Sequence, residues 1–107
     1  MANVTPDPIG PAECRSRARQ HRLAAGLIDH GAARDAVLQT ADEYDRRAAA
    51  WAKADAEREQ WSAAALDAHA KGDRDAWREA WSKALDAHKV REAARTGAES
   101  AWTWRHP

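Results

Sequence analysis

The chain has 107 residues, a length for one domain, and its 17 Lys and Arg balance its 17 Asp and Glu. Zero net charge provides no global field for nucleic acid or a membrane surface. The hydrophobic 44% is mostly alanine, Phe is absent, and the single cysteine excludes an internal disulfide and a thiolate zinc cluster.

Large aliphatic residues are scarce, so six Trp and one Tyr must supply much of the bulk. Alanine has the highest intrinsic helix propensity. The composition therefore predicts an all-α chain with a thin core, its helices close at alanine and locked by a few Trp. A lone cysteine and the lack of a secretory h-region or long apolar run predict a cytoplasmic protein with no membrane span. Arg far exceeds Lys and Ala is abundant, a usage expected of a high-GC bacterial gene.

Residues 1–10, with two prolines and no helical period, read as a flexible extended arm. Pro11 suits the first turn of a helix and Glu13 its positive dipole end. The first helix is predicted to run to Asp29 or His30, with Gly31 closing it. No Gly or Pro then occurs until Gly72. Thr40-Ala41-Asp42-Glu43 has capping-box form, yet Asp42 with Arg46 and Glu43 with Arg47 are favourable i,i+4 pairs. The expectation is one continuous middle helix, with Tyr44, Ala48, Trp51, Ala54, Trp61, Ala65, Leu66 and Ala68 on its apolar side.

Asp73 is placed to cap a last helix ending near Gly97, with Trp77, Trp81, Ala84, Leu85 and His88 on its inner face and a Glu79–Lys83 pair outside. Short turns make neighbouring helices antiparallel. The predicted fold is a three-helix antiparallel bundle, or two helical hairpins, over residues 11–101. Its long central helix serves the first helix along one half and the last along the other. Residues 102–107 form a tail.

Trp61, Ala65, Gly72-Asp73, Trp81 and Lys83-Ala84-Leu85 stand where a tetratricopeptide-type helical repeat has its early Trp, midway small residue, Gly-Asp turn and closing aromatic-Lys-Ala-Leu. Residues 58–89 thus resemble a single such hairpin, about a third of the chain. Two positions depart: bulky Trp77 replaces a small residue, and Lys89 stands where that repeat ends in proline. The resemblance implies hairpin geometry and protein or peptide binding.

Two near-copies, Trp61–His69 and Trp81–His88, each carry an Asp and a His. Asp67/His69 and Asp86/His88 do not make a metal or acid-base site, because residues two apart point to different sides of a helix. His69 sits at the turn while His88 lies about 20 Å along the next helix. Trp61, Trp77 and Trp81 read first as hairpin core, and second as an aromatic cage.

Arg15, Arg19 and Arg22 share a face of the first helix and are the candidate nucleic-acid contacts. The competing reading pairs them with acids of the middle helix. Asp55 and Arg58 interrupt the apolar stripe of the middle helix and mark either a buried ion pair or an uncovered docking face. Trp102 and Trp104 are candidate docking residues, since Trp is enriched at interface hot spots; the competing reading tucks them against the first helix.

No nucleophile stands beside a base and no Gly-rich phosphate loop occurs. Neither cofactor, metal nor small-molecule substrate is expected. The chain reads as a small helical protein-protein interaction protein, an adaptor or regulator that binds another protein or itself as a homodimer. Trp77 joins Asp55, Arg58, Trp102 and Trp104 among its candidate contacts. The second reading is an accessory nucleic-acid-binding protein.

Overall fold

The computed structural model describes residues 6–97. They form three helices, α1 (Pro11–Ala25), α2 (Gly31–Ala70) and α3 (Arg74–Thr96), with no strand among the described residues. The all-α antiparallel arrangement with a long central helix is as expected. At about 1.5 Å per residue α2 is roughly 60 Å long, and it sets the 63 Å length of the molecule. Both α1 and α3 pack along α2 but not along each other. The shortest dimension is 21 Å, about two helix diameters. In cross-section the protein is therefore two helices thick, and each hairpin leaves flanks uncovered.

Pro11 opens α1 after an extended Gly10, and Glu13 lies in the first turn, where its carboxylate accepts from the Ile9 N–H. The predicted end of α1 is corrected. The helix stops at Ala25, and the Gly26 N–H closes onto the Arg22 carbonyl. Gly31 opens α2 instead of closing α1, because His30 provides the cap: its Nδ1 accepts from the Ala33 N–H at 3.3 Å.

No break occurs at Thr40, whose hydroxyl bonds back to the Ala36 carbonyl at 3.1 Å rather than capping a new helix. The two predicted i,i+4 pairs beyond it are not formed. Asp42 instead accepts from Arg22 of α1, and Arg47 reaches across to α3.

Local signals at the second turn operate as read. Gly72 adopts a left-handed φ of 71°, Asp73 accepts from the Ala76 N–H at 3.1 Å, and Lys83 pairs with Glu79 at 3.2 Å. Gly97, also left-handed, closes α3 through its N–H to Ala93.

The buried seam is mostly alanine. Ala54, Ala65 and Ala68 of α2 face Ala80, Ala84, Ala87 and Ala94 of α3, at spacings of three, four, seven and eleven residues that keep to one face of each helix. Cys14, Ala18 and Ala25 form the matching line on α1. The largest fully buried side chain is Trp51, 1% exposed, clustered with Cys14, Ala48 and Ala94 where the start of α1 meets the end of α3 on α2.

This corrects the predicted inner face of α3. Trp77, Trp81, Leu85 and His88 are exposed, and so is Leu66 of α2. Helices that approach at alanine leave no room for a ring between them, so the large side chains flank the seam.

Part of the predicted flexible arm is held in place. Pro8 is buried, the Pro6 carbonyl accepts from Arg17 at 2.8 Å, and Asp7 pairs with Arg95 at 3.2 Å. Residues 6–10 thus bridge the start of α1 to the end of α3. Residues 1–5 and 98–107, including Trp102 and Trp104, lie outside the described residues.

A candidate docking groove beside the Gly72 turn

The two flanks of the α2–α3 seam differ in chemistry. On one flank, Trp77, Trp81 and Leu85 succeed each other at intervals of four along α3, a single stripe on a helix. Ser62, Leu66 and His69 line the facing edge of α2, and with Ala65, Trp77 and Trp81 they enclose a cleft of about 330 Å³. Leu66 is 72% exposed, Leu85 53%, Trp81 46% and Trp77 36%. Four large apolar side chains so placed form a contiguous patch, which monomeric surfaces seldom leave to water without a use.

The opposite flank is polar. Trp61 is partly buried there, with the Lys83 ammonium 4.3 Å from its ring centroid. Asp67 pairs with Lys71 at 2.9 Å and Glu79 with Lys83 on the same side. Trp61, Trp77 and Trp81 therefore do not form a common core, nor an aromatic cage. They are divided between a charged flank and an apolar one.

The register of α2 relates the groove to α1. Because α3 ends at the level of Arg47, among the described residues it is α1 that covers Ala41, which is fully buried. Ala41, Ala48, Asp55, Ser62 and His69 follow at intervals of seven, one line along the helix. Its first part lies under α1 and its last part lines the groove. The groove is thus the stretch of that flank which α1 is too short to occupy.

At the middle of α2 a dense polar shell surrounds Trp51. Arg47 donates from Nε to the Ala94 carbonyl and from Nη2 to the Arg95 carbonyl, both at 2.7 Å, satisfying carbonyls that the last turn of α3 leaves free. Its guanidinium also stands 5.1 Å from the Tyr44 ring centroid, and Arg17 stands 5.7 Å from the same ring. Burial pushes the Cys14 thiol upward, against the lowering fields of Arg47 and Arg17. The Arg95 hydrogen bond holds the Glu92 carboxyl below its ordinary range.

The predicted contacts fare differently. Asp55 does not pair with Arg58; it accepts from Arg91 of α3 at 2.8 Å, and Arg58 is exposed. Asp55 therefore lies at the edge of the α2–α3 contact, its side chain still 45% exposed. Arg22 is taken by Asp42 at 3.0 Å and Asp45 at 2.6 Å, which splits the basic face and leaves Arg15 and Arg19 exposed. Asp67 and Asp86 do not converge with the two histidines, and among the described residues no group of three or more His, Cys, Asp or Glu is placed to hold a metal ion.

Two residues escaped the sequence reading. Arg47 reads in the sequence only as the i,i+4 partner of Glu43, because the carbonyls it caps lie 47 and 48 residues away. Leu66 was placed inside, although its position one residue past Ala65 puts it on the flank. Among the described residues no helix is long and apolar enough to cross a membrane. No family model, no curated protein and no solved structure matches the chain.

Proposed function

We propose that the protein is a small helical interaction protein, an adaptor or regulator without catalysis, that docks another polypeptide in the groove beside the Gly72 turn. The observation that carries this reading is exposed Trp77 and Trp81 facing Leu66 across an apolar cleft, with exposed Leu85 one turn further along α3. Exposed Trp on a rigid helix gives large contact area at little cost in side-chain entropy, the property of interface anchors. The resemblance of residues 58–89 to a tetratricopeptide-type hairpin, a peptide-binding unit, supports the same reading. Trp77, the bulky departure from that repeat, becomes a wall of the groove.

An amphipathic helix laid in line with α1 matches the shape of the site, as a helix seated in an apolar groove does. The test is a display selection of amphipathic helical peptides on the immobilised protein, counter-selected on Trp77→Glu/Trp81→Glu. Enrichment of sequences that bind the parent and not the double variant is expected. No enrichment over the double variant would contradict the reading. So would salt-sensitive retention on DNA that disappears in Arg15→Ala/Arg19→Ala while Trp77→Glu/Trp81→Glu retains it, which would favour the basic face of α1 instead.

A further inference from the structure

We infer that the α1–α2 turn is a pH-sensitive latch, closed by the neutral His30 imidazole and released when that ring takes up a proton. The inference is independent of the groove, whose first lining residue lies about 48 Å further along α2.

The three helices open in three ways. α1 starts on Pro11 with no side-chain cap, α3 on the Asp73 carboxylate, and α2 on an imidazole. His30 has the full geometry of a cap. Its backbone is extended, with φ −79° and ψ 117°, and its carbonyl accepts from the Arg34 N–H at 2.9 Å. Its Nδ1 accepts from the Ala33 N–H at 3.3 Å. A backbone N–H can only donate, so Nδ1 must offer a lone pair and the ring proton must sit on Nε2. An imidazolium carries hydrogen on both nitrogens and has no acceptor left. The bond to Ala33 would then become two N–H groups pointing at each other.

The surroundings do not compensate. A cation at His30 meets the positive end of a 40-residue helix, and no acid lies in the first turn of α2 to offset it. Asp29 adjoins the ring in the turn, and Arg34 and Asp35 follow in α2. The last charged residue of α1, Arg22, is taken by Asp42 and Asp45. The closing carbonyls of α1 are engaged as well: those of Arg22, Ala24 and Ala25 accept from the N–H groups of Gly26, Leu27 and Ile28. Among the described residues no carboxylate forms an ion pair with the His30 ring.

His21 shows the opposite chemistry. Its Nδ1 lies 2.7 Å from the Arg17 carbonyl, which can only accept, so that ring keeps its bond in either charge state. His69 and His88 are exposed on α2 and α3. Among the described residues, His30 is thus the histidine whose proton uptake removes a backbone hydrogen bond. An imidazole changes charge between about pH 5 and 8. The folded turn needs the neutral ring, so the cap is present at the upper end of that range and is lost as pH falls. Acid frays the first turn of α2 and loosens its hairpin with α1, while the α2–α3 seam stays closed.

The test compares urea unfolding of the full chain with that of His30→Asn and His30→Ala, at about pH 7.5 and about pH 5.0. Asn caps at both values and Ala at neither. The parent is expected to behave like His30→Asn at the higher pH and like His30→Ala at the lower. Its folding constant relative to His30→Asn should fall about fivefold between them, the usual effect of losing a cap. The same pH dependence in all three proteins overturns the inference. So does a parent that gains on His30→Asn in acid, the result expected if Asp29 held the imidazolium. A second readout needs no variant. By NMR, exchange of the Ala33 amide, relative to its unstructured rate, should rise about fivefold as the His30 ring titrates, and that of Ala76 under the Asp73 cap should not. An Ala33 amide indifferent to the ring, or one that changes no more than Ala76, overturns the inference as well.

Discussion

The middle of α2 and its C-terminal end hold their neighbours by different means. Around Trp51, at the middle of α2, segments of all three helices converge on one buried ring, and Arg47 ties the last carbonyls of α3 to α2. At the Gly72 end, two helices touch through small alanine side chains, and the large apolar groups stand outside. Both regions hold Trp, one at position 51 and three in the hairpin at 61, 77 and 81. A ring stabilises the fold where a third segment closes over it, and forms a docking surface where none does.

The contrast can be broken most severely at Trp51. Trp51→Ala should cost about 3–5 kcal/mol, lowering the melting temperature of so small a domain by about 12 °C or more. A loss below 1 kcal/mol would remove the claim that this ring organises the fold. Arg47→Met keeps much of the aliphatic stem but abandons two carbonyls of α3, and about 2 kcal/mol should be lost in denaturant titration. An unchanged midpoint would mean that water replaces the guanidinium without penalty.

Trp81→Ala, measured at dilutions where the chain is monomeric, should cost only about 1 kcal/mol, because nearly half of the side chain is already in water. A loss equal to that of Trp51→Ala would make the hairpin Trp core residues after all.

The mildest effect is a pH dependence. The Cys14 thiol is raised in the folded protein, chiefly by burial. An acid whose folded value is raised favours its neutral form, so this contribution is fully present below the unfolded thiol value of about 8.5 and is lost as pH rises through the folded one. Melting curves should therefore show an alkaline loss of stability that is smaller in Cys14→Ala. An identical alkaline slope in both proteins would show that the thiol is not sheltered.

Much of the fold was legible in the sequence because its signals are local. Asp73 caps α3 by a side chain three residues from the N–H it serves, Gly72 and Gly97 take up backbone angles that other residues resist, and a Gly- and Pro-free run becomes one helix. The end of α1 was less legible, since Gly26 and Gly31 are both plausible punctuation and the choice depends on His30 acting as a cap.

The candidate groove was hidden for a longer-range reason. A helical wheel places Trp77, Trp81 and Leu66 near the inward side, but the wheel does not encode how closely two helices approach. Alanine at 65, 68, 80, 84 and 87 draws the axes together, and the rings are displaced to the flanks. Asp55 shows the same limit: its partner, Arg91, is 36 residues away and invisible to any i,i+4 rule.

Amide hydrogen exchange of the dilute, monomeric protein tests the contrast between the two regions most directly. If the Trp51 cluster anchors the fold, the slowest amides will lie in residues 44–54 of α2 and 87–94 of α3, with residues 62–69 and 77–84 exchanging faster through local opening of the alanine seam. The reverse order, with the strongest protection around Trp77 and Trp81 in a monomer, would contradict it.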